Sequence, residues 1–300
     1  MRLLLVGLLV FISISFCQAQ DSLKILSWNI QMLPRGVKGN SKAKRARIIA
    51  EELKQRNYDV VVFQELFYQR SRKILVRQLK EIYPHQTQVL NKKSVSFKTN
   101  GGVLIVSKHP ITETREITYR QKSGPDRLSR KGALLATLHV RDKKLQVIGT
   151  HLQAFGKKEI MYSQYQQLHD ELLKPSLLPG VPQIICGDFN TLKEVPAQVP
   201  ASLPANFEER IARYPVMLQT LQAEDGPLKG DQQYSMDRPY NDLCKKRKEF
   251  RLLLDYFLLR SNQSAAQISH RQITIIKKKW HKEHSDLSDH YSLEAVVKGF

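Results

Sequence analysis

Cysteine, tryptophan and acidic side chains are all scarce in this chain: 3 Cys, 2 Trp and 28 Asp+Glu in 300 residues. Cys17 falls in an N-terminal apolar segment, which leaves Cys186 and Cys244. One of these sits inside the apolar stretch "VPQIICGDFN", so a disulfide is permitted but not indicated, and two free thiols are expected. The shortage of acid leaves 48 Lys+Arg unbalanced and the net charge at +20. That field attracts phosphates, of nucleic acid or of an anionic lipid surface alike, or serves solubility alone, and does not choose between them. Long hydrophobic runs are also missing, apart from residues 2–19, "RLLLVGLLVFISISFCQA". Its single positive charge, its apolar run from Leu3 to Phe16 and its Cys-Gln-Ala end predict a secretory signal peptide cut after Ala19. The run is too short to span a bilayer. Acylation of Cys17 is disfavoured, because bulky Phe16 stands where such sites want a small residue. A soluble mature chain, secreted or periplasmic, is expected.

A hydrophobic content of 41% suffices for a sizeable core, and no internal repeat interrupts the chain. Apolar runs ending in polar clusters recur at 23–29, 58–65, 100–108, 132–140, 145–151, 181–190, 252–260 and 291–297. Their length, β-branched content and flanking Gly, Pro or Asn predict strands. Helical periodicity lies between them at 41–56, with Ser41 as cap, and at 71–82, 159–174 and 207–222. The mixture predicts an α/β domain with mixed sheets. Two stretches resist assignment: the proline-rich 191–205 and the polar, aromatic-dotted 224–250. Loops of that length in one domain are commonly functional or mobile.

Asn29, Glu65, His151, Asp188, Asn190, Asp255 and the Asp289-His290 pair all occupy the ends or interiors of apolar strands. Taken singly each has a bland account: Asn29 caps a turn, Glu65 a helix, and His151 is a satisfied core histidine. Repetition across six strands is different, because polar groups ending apolar strands cost desolvation unless they share a site. Carboxylate and amide oxygens, with no Cys and two His, suit a hard cation such as Mg2+ and disfavour zinc. His151 and His290 supply groups able to move a proton near neutral pH or to face developing negative charge. Asp255, inside "LLLDYF", is the natural orienter for one of the imidazoles. A metal, a base and amide donors together indicate hydrolysis of a phosphate ester.

The segments "SWN", "FQE", "NGGVLIVSKHPI", "GTHLQA", "GDFN", "LDYFLL" and "SDHYSLEA" appear in the order and spacing of the endonuclease/exonuclease/phosphatase superfamily. The chain resembles it over residues 23–298, essentially the mature chain. Within it, "NIQMLP", "SGPDRLSRKG" and "THLQA" resemble the secreted bacterial neutral sphingomyelinases, enzymes of phospholipase C type; "YSMDRPYN", which contains Tyr234, does so more loosely. The resemblance implies a single-domain, four-layer α/β/β/α sandwich of two facing mixed sheets, with the site at one rim. It implies that Glu65, helped by Asn29, holds Mg2+, with Mn2+ or Co2+ as substitutes. It implies that His290, oriented by Asp255, takes the proton from the attacking water. Asp188 and Asn190 would position that water and the phosphate, His151 would stabilise charge on the phosphoryl oxygen, and Asp289 would complete the metal or water network. A metal-bound water would supply the proton to the departing alkoxide. The implied substrate is sphingomyelin or a related sphingophospholipid. The rival, a secreted metal-dependent nuclease, uses the same catalytic set and would take nucleic acid as its partner. Nothing indicates a protein partner.

Asp126 and Lys131, five apart, could pair to shape the loop beside the substrate, or form a solvated salt bridge of negligible energy. The sphingomyelinases carry an apolar C-terminal hairpin that dips into the bilayer. Here the corresponding 273–286, "ITIIKKKWHKEHSD", is short, and Trp280 beside Lys277, Lys278 and Lys279 is expected to dock peripherally on an anionic membrane surface.

Overall fold

Alternate residues of β1 (Ser22–Met32) point to opposite sides, yet both sides are apolar. Leu23 and Ile25 enter one buried cluster and Leu26, Trp28, Ile30 and Met32 another. A strand covered on both faces reads as a continuous apolar run, which is why the sequence shows runs rather than alternation. The computed structural model describes residues 22–39, 41–93, 96–154, 156–194, 207–244 and 250–300. The expected signal peptide, Cys17 and most of the proline-rich stretch lie outside these residues.

Two mixed sheets form the centre. The first contains β1, β2 (Val60–Leu66), β3 (His85–Gln86), β4 (Leu104–Ser107), β12 (Gln267–Thr274) and β13 (Ser292–Lys298), in the order β12-β13-β1-β2-β4-β3. The second contains β5 (Ile111–Thr118), β6 (Gly132–Val140), β7 (Lys143–His151), β8 (Gln183–Asp188) and β11 (Asp255–Arg260), in the order β11-β8-β7-β6-β5. A short hairpin pairs β9 (Met236–Asp237) with β10 (Arg251–Leu252). Val62 and Ile105 from the first sheet and Ala136, Val147, Cys186 and Phe257 from the second fill the space between them. Helices α1 (Lys42–Lys54) and α2 (Gln69–Leu79) cover the first sheet, with Ile49, Leu53 and Leu75 against Phe63. Helices α3 (Lys158–Leu168) and α4 (Phe207–Leu221) cover the second, with Tyr165 and Met217 against Ile185. The result is the expected α/β/β/α sandwich. Cys186 is buried and Cys244 partly buried, and neither is in a disulfide. No helix among the described residues is long and apolar enough to cross a membrane.

The differences from expectation have physical causes. Strands β5 and β12 were not foreseen; both are edge strands, and the long exposed run of "ITETREIT" has no apolar pattern to read. Ser41 stands before α1 but in the left-handed region, φ 46°, and its hydroxyl makes no cap bond. The third helix leaves α geometry at His169, continuing as a π-turn to Leu173. Within 224–250 the described residues hold turns and β9 rather than a formless loop.

Candidate active site

Sheet register does most of the assembly. His151 closes β7 opposite Asp188 at the end of β8, and Asp188 lies opposite Asp255 at the start of antiparallel β11. One row across three strands therefore carries an imidazole and two carboxylates. In the facing sheet β1 and β2 run parallel and end at the same rim, with Asn29 opposite Gln64, one residue before Glu65. Strand β13 is antiparallel to β1, so the residues entering it, Asp289 and His290, arrive at that rim too. The indole N–H of Trp28 donates to the His290 carbonyl at 2.9 Å and fixes the entry. Glu65 (φ 55°) and Asn190 (φ 49°) both occupy the left-handed region, a cost of roughly 1–3 kcal/mol each that surrounding structure must hold.

Asp188 is the hub. Its carboxylate accepts from Asn29 Nδ2 at 3.0 Å and from the Asn190 backbone N–H at 3.0 Å. His151 Nε2 and His290 Nε2 stand 3.5 and 3.8 Å from it. His290 Nδ1 meets Asp255 Oδ2 at 2.8 Å. Ser235 holds Asp255 from behind, its hydroxyl accepting from the Leu254 and Asp255 N–H groups at 3.1 and 3.3 Å. Burial pulls the His290 pKa down, but Asp255, then Asp188 and Asp289, outweigh it and hold the ring at about 10. Burial, partly offset by His290, pushes Asp188 up to about 6. His151 is the opposite case: burial, then Lys131 and His290, hold it well below 6.5. Its Nε2 accepts from the Lys131 ammonium at 3.0 Å, so the positive charge at this end belongs to Lys131.

On the other side, burial and then Asp289 push Glu65 up to about 7, with Lys131 and His290 restraining the shift. Gln31 donates to the Asp289 carboxylate. Beneath them the Arg45 guanidinium is wholly buried and donates to the carbonyls of Ile30, Gln31 and Leu287 at 3.2, 2.7 and 2.5 Å. Burial lowers Arg45 to about 10, while Asp289 and Glu65 support its charge. A cavity of about 190 Å3 opens beside Glu65, Asp126 and Lys131, with Leu33, Pro34, Val37, Phe67, Pro125 and Leu128 among its walls.

The model of the Endonuclease/Exonuclease/phosphatase family matches residues 26–290, from the start of this rim to His290. The chain belongs to that family. A protein named Sphingomyelinase C from Bacillus cereus is 32% identical over 58% of this chain, and the match spans 58% of its own length. A Phospholipase C from Staphylococcus aureus is 28% identical over 99% of this chain and 94% of its own. The crystal structure of a double mutant of beta toxin from Staphylococcus aureus, with bound magnesium ions, superposes with a TM-score of 0.77. It is 26% identical and covers 92% of this chain and 99% of that one.

Charge and donor chemistry decide whether the residues of this family member suit a divalent cation. Glu65, Asp188, Asp255 and Asp289 converge, and two of them are pushed far above the carboxylate range. Asp255 Oδ1 is buried without a hydrogen-bond partner. Surplus buried carboxylate, all of it hard oxygen, fits Mg2+. One ligand atom each from Asp188, Asp255 and His290 lies within 4.8 Å of the others, but His290 and Asp255 already hold one another. A second such group, His281, Glu283 and His284, lies on a loop crowded by Lys278, Lys279 and Lys282, whose charges oppose a cation.

The structure brings Asn29, Glu65, His151, Asp188, Asn190, Asp255, Asp289 and His290 to one rim. Asp126 and Lys131 do pair, at 2.9 Å, and the bridge is not solvated: the Lys131 side chain is 4% exposed. Tyr234 has its ring over the Arg251 guanidinium, 4.5 Å from the centroid, and no bond to the rim residues. Trp280 is a correction. It is buried, packs with Ile276 and Leu287 and donates to the Asp286 carbonyl at 2.8 Å, so it is unavailable to a membrane. Its lysine neighbours belong to the exposed side of the same loop. Gln31, Arg45 and Ser235 were missed. Gln31 lay inside the quoted "NIQMLP"; Arg45, within "KAKRAR", cannot be told by pattern from solvated basic residues.

Proposed function

We propose that this chain is a secreted, Mg2+-dependent phosphoric diester hydrolase of the sphingomyelinase, phospholipase C type. It cleaves sphingomyelin or a related sphingophospholipid to ceramide and the phosphorylated head group. The observation that carries this is the buried Asp255-His290 pair, Nδ1 to Oδ2 at 2.8 Å, with Nε2 on the far side of the ring 3.8 Å from Asp188. With Nδ1–H committed to Asp255, Nε2 of the neutral ring is the acceptor for a proton from water attacking in line with the leaving oxygen. Asp188 and Asn190 position that water and the phosphate. His151 holds the Lys131 ammonium at its Nε2, on the side of Asp188, and that cation faces charge growing on the phosphoryl oxygens. Glu65, Asn29 and Asp289 would hold the Mg2+, which neutralises phosphate charge and opposes protonation of His290. The apolar walls of the cavity beside Glu65 suit a lipid better than a nucleotide. The names of the two relatives support the same substrate class.

The test measures head-group release from sphingomyelin in mixed detergent micelles with Mg2+. His290→Ala should lower turnover by about 10²–10⁴-fold with an unchanged circular dichroism spectrum. Unchanged release removes His290 as the base. A wild-type protein that ignores sphingomyelin but nicks supercoiled plasmid replaces this reading with the nuclease.

A further inference from the structure

With Trp280 buried, the surface that meets the bilayer must lie elsewhere. Among the described residues six large apolar side chains are exposed; two of them, Val37 and Leu128, line the cavity beside Glu65, and a third, Phe97, stands two residues before Thr99 in its wall. Phe97 is fully exposed, while Leu128 and Val37 are 69% and 48% exposed. Val37 and Leu128 line the cavity themselves. Phe97 is brought to the same place by its neighbours: the Thr99 N–H donates to the Leu128 carbonyl at 3.0 Å and the Arg130 guanidinium to Ser96 Oγ at 2.7 Å. Singly exposed apolar residues are ordinary; three from separate loops around one opening are not.

Each of the three has an exposed cation beside it in the chain: Lys38 after Val37, Lys98 after Phe97, Arg127 before Leu128. The one acidic residue of the 124–128 turn, Asp126, is neutralised by Lys131 at 2.9 Å. Density of positive charge is felt locally, since burial and then Lys98 lower the pKa of Lys122. The supports are firm. The Lys42 ammonium donates to the carbonyls of Val37 and Lys38 at 2.5 and 2.7 Å, holding that loop from below.

We infer that the loops bearing Val37, Phe97 and Leu128 form a docking rim that inserts shallowly into an anionic lipid bilayer and presents the cavity to a membrane-borne diester. Charge complementarity selects the occupant: apolar tips with basic shoulders fit the acyl boundary and the phosphates of an anionic leaflet together. Lys38 already meets Asp289 at 3.6 Å, but an uncharged apolar partner would leave Lys98 and Arg127 unmatched, and a polyanion in water would leave Phe97 unmatched. This rim rests on the proposed lipid substrate, but its binding can be read without turnover.

The experiment uses the mature chain and vesicles of phosphatidylcholine and sphingomyelin, with and without phosphatidylserine. Trp28 and Trp280 are both buried, so a tryptophan placed by Phe97→Trp is the fluorophore that reports the rim. Its emission should shift to the blue and be quenched by brominated lipid, and more so with phosphatidylserine present. The double variant Phe97→Ser, Lys98→Gln should bind those vesicles about tenfold or more weakly. It should retain wild-type hydrolysis of bis(p-nitrophenyl) phosphate with Mg2+. An emission that does not move, or vesicle binding unchanged in the double variant, overturns the rim. A wild-type protein that binds vesicles through Phe97 yet cleaves no sphingomyelin in micelles overturns the proposed substrate and leaves the rim standing.

Discussion

Burial alone would empty the His290 ring of its proton, and three carboxylates reverse that. The pair with Asp255 therefore has two consequences, fixing the tautomer and raising the pKa, which a conservative substitution separates from folding. Asp255→Asn removes the first-ranked raising influence, so the pKa of His290 falls and the acidic limb of the kcat/KM profile moves to lower pH. Turnover at the plateau should nevertheless drop by about 10²–10⁴-fold, because the amide no longer fixes which nitrogen accepts. A pH–rate profile decides it: a limb that stays in place means another group titrates there. The pair was legible in the sequence because both residues interrupt apolar strands, where a lone polar group is costly. The reach of Lys131 to His151 was not, because nothing in the spacing of "SRKG" and "GTHLQ" says that the two side chains share one buried corner.

Elements were readable to the degree that they are buried. Strand β6, "GALLATLHV", was bounded to the residue because almost all of it is enclosed, whereas β5 and β12 have their edges in solvent and no period to betray them. What holds the site's geometry is the closeness of the two sheets, and Gly149 in β7 sets it. A Cβ there would lie 2.6 Å from Val62 Cγ1 and 2.8 Å from Val103 Cγ1, both across the sheet interface. Those methyls belong to stiff β-branched side chains in a filled core and have nowhere to turn. Gly149→Ala should destabilise the fold by about 1–3 kcal/mol, measured by urea unfolding. It should also lower activity, since His151 is two residues away and its row must move with the sheet. Adding Val62→Ala should recover part of the loss, so that the double variant is more stable than the two singles predict. Simple additivity would show that the sheets are not in contact at this point.

At the scale of the whole molecule the strong positive charge sits outside and a knot of carboxylates inside, and the two respond to pH in different ways. In the folded chain Glu65 is pushed up to about 7 from 4.5 and Asp188 to about 6 from 3.8, largely by burial. Both hold protons in the folded state over a range where the unfolded chain has released them, so metal-free stability falls as pH rises from about 4 to 7. The raised His290 adds stability that is complete below 6.5 and lost as pH climbs toward 10. Surface charges also titrate, but a difference between melts with Mg2+ and with chelator cancels them. A divalent ion must displace the protons on these carboxyls, so its stabilisation should be small at pH 5 and grow through pH 8. At a hundred times the dissociation constant it amounts to about 2.7 kcal/mol, a rise in Tm of about 4–5 °C for a domain of this size. Glu65→Gln should remove most of that rise while leaving the surface unchanged, with a melt in chelator near wild type at pH 5 and above it at pH 8, where the buried carboxylate would otherwise be charged. A Mg2+ effect that is flat with pH, or that survives Glu65→Gln, would place the ion away from this rim.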